Sequence, residues 1–228
     1  NEVWNSGGYN SHVFFGIDEN NNFLGGQYNS QYPNSLIGCE YSINNDINWS
    51  EPINEGIQNG ENFTQHEIIK LPNGNYMGIV SISSNGPIPI GPWTPLFQQL
   101  GYQADGVTLE FPWIGDKLVE WDKDTKEVVW SWDTFDHYSM ADYDQLGGTW
   151  DQAYFDLQYD WTHMNAAFFS DEENALYISI RHLSRITKID YASGGVIWNL
   201  GHEMLSGDVT MGHDLGFSFQ HGLQLTDD

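Results

Sequence analysis

Apolar and polar positions fall into four short alternating runs between Asp160 and Gly201: one after His163, then Ala175 to Arg181, Arg185 to Asp190 and Gly195 to Leu200. Turn signals part them. Ser170 to Asn174 is polar and acidic, and Tyr191-Ala-Ser-Gly-Gly195 offers glycines that take positive φ without steric cost. An up-and-down set of four strands in about 40 residues has the size of one β-propeller blade.

The pattern recurs. DKLVEWDKDTKEVVWSW (116–132) superposes on SRITKIDYASGGVIWNL (184–200), with Asp122 on Asp190, Val128 on Val196 and Trp130 on Trp198 at a constant offset of 68. The opening run returns as well. SHVFFGIDENNNFLGG from Ser11, QHEIIKLPNGNYMGIV from Gln65 and QHGLQLTDD from Gln220 each set a His at a strand start, then an alternating run, then an Asp/Asn/Gly turn. Complete four-stranded blades are therefore expected over about 12–50, 66–133 and 163–201, closing at Trp49, Trp130 and Trp198, with a further blade starting at His221. The fold class expected is all-β, a β-propeller. Three complete blades plus partial blades fall short of the usual four to eight, so the sequence reads as a fragment of a longer polypeptide.

Spacing marks one irregularity. The His-to-Trp separations are 37, 64 and 35 residues, so the middle blade carries an insertion, placed at Ser83 to Gly106 with its four Pro, between the blade's second and third strands. Its Trp93, Phe97 and Tyr102 could cover a channel mouth and receive an aromatic ring, or simply pack the loop.

Composition narrows the partners. Ten Trp and twelve Tyr suit an all-β chain. A net charge of −25, from 7 Lys plus Arg against 32 Asp plus Glu, argues against nucleic acid and anionic membranes, whose phosphates would be repelled. The single Cys39 precludes an internal disulfide and is expected as a small buried hydrophobe. No membrane span is visible. Asp122-Lys-Asp124 and Asp171-Glu-Glu-Asn174 lack the spacing of a calcium loop and read as ordinary turns.

The first strand of a propeller blade lines the central channel, so His66, His163 and His221, in equivalent positions, are expected to gather near one mouth. His12 shares the position in a weaker match, while His137, His202 and His213 fall in linkers. Arg181 ends the second strand of the third blade and is one of only two Arg, the other being Arg185. Its planar guanidinium suits a tetrahedral oxyanion, as well as a salt bridge to one of the many carboxylates. Asn165, two residues past His163, lies on the same strand face and could donate a further hydrogen bond or cap a turn.

Taken together, Gln65-His66 with LPNGN, Asp160-Trp-Thr-His163-Met-Asn165, Ser179-Ile-Arg181-His182, the KID…GGVIWNLG stretch and Gln220-His221 resemble the bacterial aryl-sulfate sulfotransferases (arylsulfotransferases). The resemblance extends from about residue 60 onward. It implies a six-bladed propeller that moves a sulfuryl group from a phenolic sulfate ester to a phenol, with no nucleotide donor, cofactor or metal, and through a transiently sulfated histidine. By motif, that nucleophile is His221, with His66, His163 and Arg181 around the sulfate. It further implies small-molecule donor and acceptor, a periplasmic or secreted location, and room for a homodimer. Two departures stand out: the remaining blades are absent, and some members have a disulfide that a single cysteine cannot form. The residues alone leave two other readings open, a propeller enzyme binding a transition metal through its channel histidines and a non-catalytic binding module.

Overall fold

The computed structural model describes residues 12–29, 32–52, 62–212 and 216–226. Its strands form three antiparallel four-stranded meanders, as the alternating runs require. The first holds β1 (His12–Ile17), β2 (Phe23–Asn29), β3 (Tyr32–Tyr41) and β4 (Ile47–Ser50) in sequence order. The second holds β5 (Asn62–Lys70), β6 (Tyr76–Gly86), β7 (Phe111–Trp121) and β8 (Val128–Asp133), and the short β9 (Tyr159–Asp160) joins it by parallel pairing with β7. The third holds β10 (Met164–Ser170), β11 (Ala175–Ile180), β12 (Arg185–Asp190) and β13 (Val196–Gly201). The protein is all-β, with propeller-like blades. Its chain divides into two compact units, 1–81 with 117–132 and 82–116 with 133–228.

In the first unit a buried carboxylate organises each Asn-rich turn. Glu40 accepts the Asn22 and Asn48 side-chain amides, the Tyr76 hydroxyl at 2.6 Å and Lys70 Nζ at 2.7 Å. Glu120, in β7, accepts the amides of Asn73 and Asn75. A buried carboxylate is tolerated only when its oxygens are paired, and these turns supply the donors. Lys188 of β12 replaces Glu120 at the 68-residue offset, and its partner changes sign accordingly: Glu173, at 2.8 Å. Apolar packing completes the unit, with Trp49 stacked on Tyr76 at 3.9 Å amid Leu24, Leu36, Ile68, Val80, Val119 and Trp121. Cys39 is buried as expected, and burial pushes its thiol up to about 12.

The second unit contains the insertion. Residues 87–110 lie between β6 and β7 outside any strand and carry α1 (Thr94–Gln99); Ser83 to Gly86, assigned to the loop by spacing alone, belong to β6. Its aromatic residues face inward. Phe97 is fully buried, meeting Phe111, Trp150 and Tyr154 edge-on, while Trp93 stacks on Trp150 and Tyr102 packs on Phe97 and Phe111. This is the packing alternative. The same core takes in α3 (Thr149–Asp156), whose Trp150 stacks on Tyr159 of β9 at 4.0 Å, and Trp113 of β7. A short α2 (Thr134–His137) precedes it, capped by Asp133.

Three expectations need correction. His66 is not at a strand start but in the middle of β5, where the pairing with β6 slips between Phe63 and Ile68, because extra residues bulge out there. Arg181 lies beyond β11, in the turn 181–184. No strand forms at His221; residues 216–226 run as irregular chain. His213 lies outside the described residues.

Candidate functional site

One end of the third blade concentrates polar groups, and β7 and β9 build it from below. Asp116 of β7 is fully buried, and its Oδ2 accepts the Thr162 hydroxyl at 2.6 Å and the Met164 amide at 2.7 Å. It thereby grips both neighbours of His163. Between those two anchors His163 takes φ = 51°, a left-handed conformation costly for a side chain with a Cβ and common at functional sites. Burial pushes the Asp116 carboxyl up to about 6, against the lowering effect of its two donors.

The β10–β11 ladder then sets His163 against Arg181. Met164 pairs with Ile180, and beyond the strands the pattern continues, with the Arg181 amide donating to the His163 carbonyl at 3.2 Å and the His182 amide to that of Thr162 at 3.1 Å. Asp160 is fixed by β9, paired with Ile114 of β7. Its Oδ2 lies 2.6 Å from His163 Nδ1. Although burial alone would raise the Asp160 carboxyl, the His163 hydrogen bond and the nearby His182 and Arg181 hold it below the usual range. An ionised carboxylate only accepts, so Nδ1 of His163 carries the proton.

His182 is fixed from both sides. Its Nδ1 lies 2.6 Å from the Asp160 carbonyl and its Nε2 lies 2.6 Å from Arg181 Nη1. A carbonyl accepts and a guanidinium donates, so Nδ1 bears the proton and Nε2 the lone pair. Burial pushes its pKa down, which keeps that ring neutral. Ligand atoms of Asp160, His163 and His182 lie within 4.8 Å of one another, close enough for a metal ion. The Arg181 guanidinium, however, already occupies Nε2 of His182, and a dication beside it would be opposed by its charge.

The segment leading to His221 is bound against the same blade end. The Phe219 amide donates to Ser184 Oγ at 3.1 Å, and its ring lies 5.0 Å from the Arg181 guanidinium and 5.7 Å from the His182 ring. Gln220 donates through Nε2 to Ser179 Oγ and to the carbonyls of Ile180 and Arg185. Asn165, rather than pointing at a ligand, donates to the Gln220 carbonyl at 2.8 Å. A repeated device emerges: Asp116 holds the backbone around His163, and Ser184, its counterpart at the 68-residue offset, holds the backbone two residues before His221. His221 itself is exposed. A small cleft opens beside His182, bordered by Tyr143, His202 and Glu203.

Of the residues expected from sequence, His163 and Arg181 are thus brought together, and the chain immediately before His221 is tied to the same end of the blade. His66 is half-buried in β5 of the first unit, and His12 begins β1 there. Sequence reasoning passed over Asp160, His182, Asp116 and Phe219 as functional groups. The signal was present for the first two, which flank the very residues chosen, three before His163 and one after Arg181.

Residues 101–208 match the family Arylsulfotransferase (ASST). No curated protein matches the chain. A solved structure, described as a protein of unknown function from Bacteroides caccae at 1.35 Å resolution, aligns over 83% of this chain at 15% identity with a TM-score of 0.28, a likeness too slight to argue from. The chain spans 66% of that structure's length.

Proposed function

From the match of residues 101–208 to the arylsulfotransferase family, we propose that the protein moves a sulfuryl group from a phenolic sulfate ester to a phenol through a sulfohistidine intermediate. His221 is the nucleophile. His163 and Arg181 surround the sulfuryl oxygens and the bridging phenolic oxygen. The observation that carries this reading is the opposition of Arg181 and His163 at one blade end, with the chain before His221 bound against it.

Sulfuryl transfer, like phosphoryl transfer, needs an in-line nucleophile and donors for oxygens that carry charge in the transition state. In the first step a His221 imidazole nitrogen forms the N–S bond as the aryl O–S bond breaks, and the phenolate leaves with a proton. In the second, the acceptor phenol gives up its proton, its oxygen takes the sulfur, and the N–S bond breaks. No redox partner or nucleotide is required. A periplasmic or secreted location and a homodimer belong to the same proposal.

The test is pre-steady-state. Mixing the protein with 4-nitrophenyl sulfate should release one equivalent of nitrophenol in a burst and leave sulfate on the protein, labile to acid and stable to base. Release without a protein-bound sulfate would point to direct transfer and overturn the two-step reading.

A further inference from the structure

We propose that Asp160 and His182 are positioning residues that divide the chemistry of this site, Asp160 making His163 the proton carrier for the phenolic oxygen and His182 fixing Arg181 as the holder of the sulfuryl oxygens. The assignment rests on the sulfuryl-transfer reading and adds roles to it.

The argument is one of hydrogen-bond direction. Asp160 Oδ2, at 2.6 Å, accepts a hydrogen bond from His163 Nδ1–H, so the neutral ring carries its lone pair on Nε2, and the protonated ring keeps a carboxylate partner for the charge it gains. A second group orienting the acid–base imidazole is the arrangement by which histidine is made to work from one defined nitrogen. In the first step His163 Nε2–H passes its proton to the departing phenolic oxygen while the O–S bond breaks. In the second, Nε2 recovers a proton from the acceptor phenol as the new O–S bond forms. Nothing is left over.

His182 acts on the other partner. Its Nε2 accepts from Arg181 Nη1, its Nδ1–H is anchored on the Asp160 carbonyl, and Phe219 lies against both the guanidinium and the ring. Backbone pairing with His163 fixes the main chain of Arg181 in its turn but leaves the long side chain to be oriented by its own contacts. The ring supplies that support. A neutral His182 can accept from the guanidinium, whereas a protonated one would repel it.

Single-turnover phenol release tests the division, using aryl sulfates whose phenols range from strongly to weakly acidic. Asp160→Asn should slow release of weakly acidic phenols by about 10- to 100-fold, as loss of an orienting partner does, yet leave the nitrophenyl donor, which needs little protonation, much less affected. Asp160→Glu should recover part of the loss. His182→Phe should raise KM for every donor by a common factor without changing the dependence on phenol acidity, and His182→Gln, whose amide oxygen can accept from Arg181, should restore it. An Asp160→Asn variant slowed equally on all donors would overturn the proposal.

A second measurement needs no turnover. Imidazole nitrogen NMR of the wild-type protein should show both His163 and His182, when neutral, protonated at Nδ1. An Nε2–H tautomer in either ring would overturn the assignment whether or not sulfate is transferred. Wild-type protein with both rings as Nδ1–H but no phenol release would instead refute the sulfuryl-transfer reading, and the catalytic roles with it.

Discussion

Asp116 and Gly147 show how single residues shape the site from beneath. A buried carboxyl raised to about 6 binds protons more tightly in the folded than in the unfolded chain, so its charged form costs stability that appears as pH rises from about 4 through 6. A displacement of that size corresponds to about 3 kcal/mol. Asp116→Asn, with its amide oxygen accepting from Thr162 and Met164, should therefore be more stable than wild type at pH 7 by up to that amount. The advantage should vanish below about pH 4, as read by urea denaturation across pH. His182 has the opposite sign: its pKa is lowered, so its contribution is fully present above about 6.5 and lost as pH falls below it. Gly147 is a matter of space. A Cβ there would overlap the Phe219 ring, so Gly147→Ala should displace that ring from Arg181, cost about 1–3 kcal/mol and slow the phenol burst.

At the scale of elements, the four runs from His163 to Leu200 became β10 to β13 within about a residue, because period-two alternation and the intervening turns are local properties that tertiary contacts reinforce here. Repetition was legible for the same reason; the offset of 68 that paired Trp130 with Trp198 also relates Asp116 to Ser184. What sequence could not show was depth. Nothing in SIRHLSR marks Arg185 as the more buried of the two arginines, yet it is wholly enclosed and paired with Asp142 at 2.7 Å, while Arg181 is accessible. Ser206 supplies two further donors to Asp142. Removing one member of so buried a pair leaves the other uncompensated, so Asp142→Ala should cost about 3–5 kcal/mol, measurable as a lowered denaturant midpoint. A near-normal midpoint would mean that water replaces the carboxylate. The insertion's aromatic residues take the packing role that a long loop was expected to give them: Trp93, Phe97 and Tyr102 share a core with α3.

Residues 101–208 match the arylsulfotransferase family over a stretch where the blade pattern is also clear, and His163 and Arg181 were legible because both sit in motifs flanking β10 and β11. Asp160 and His182 were not singled out, since their importance lies in which atom donates to which, a relation that spacing cannot express. The central claim concerns His221, and peptide mapping of the sulfated protein tests it most directly. After brief reaction with an aryl sulfate and digestion under basic conditions, the mass of one sulfuryl group should appear on the peptide that contains His221, and His221→Ala should lose it while Arg181→Ala only slows its formation. Sulfate mapped to another histidine, or an equally labelled His221→Ala variant, would contradict the account.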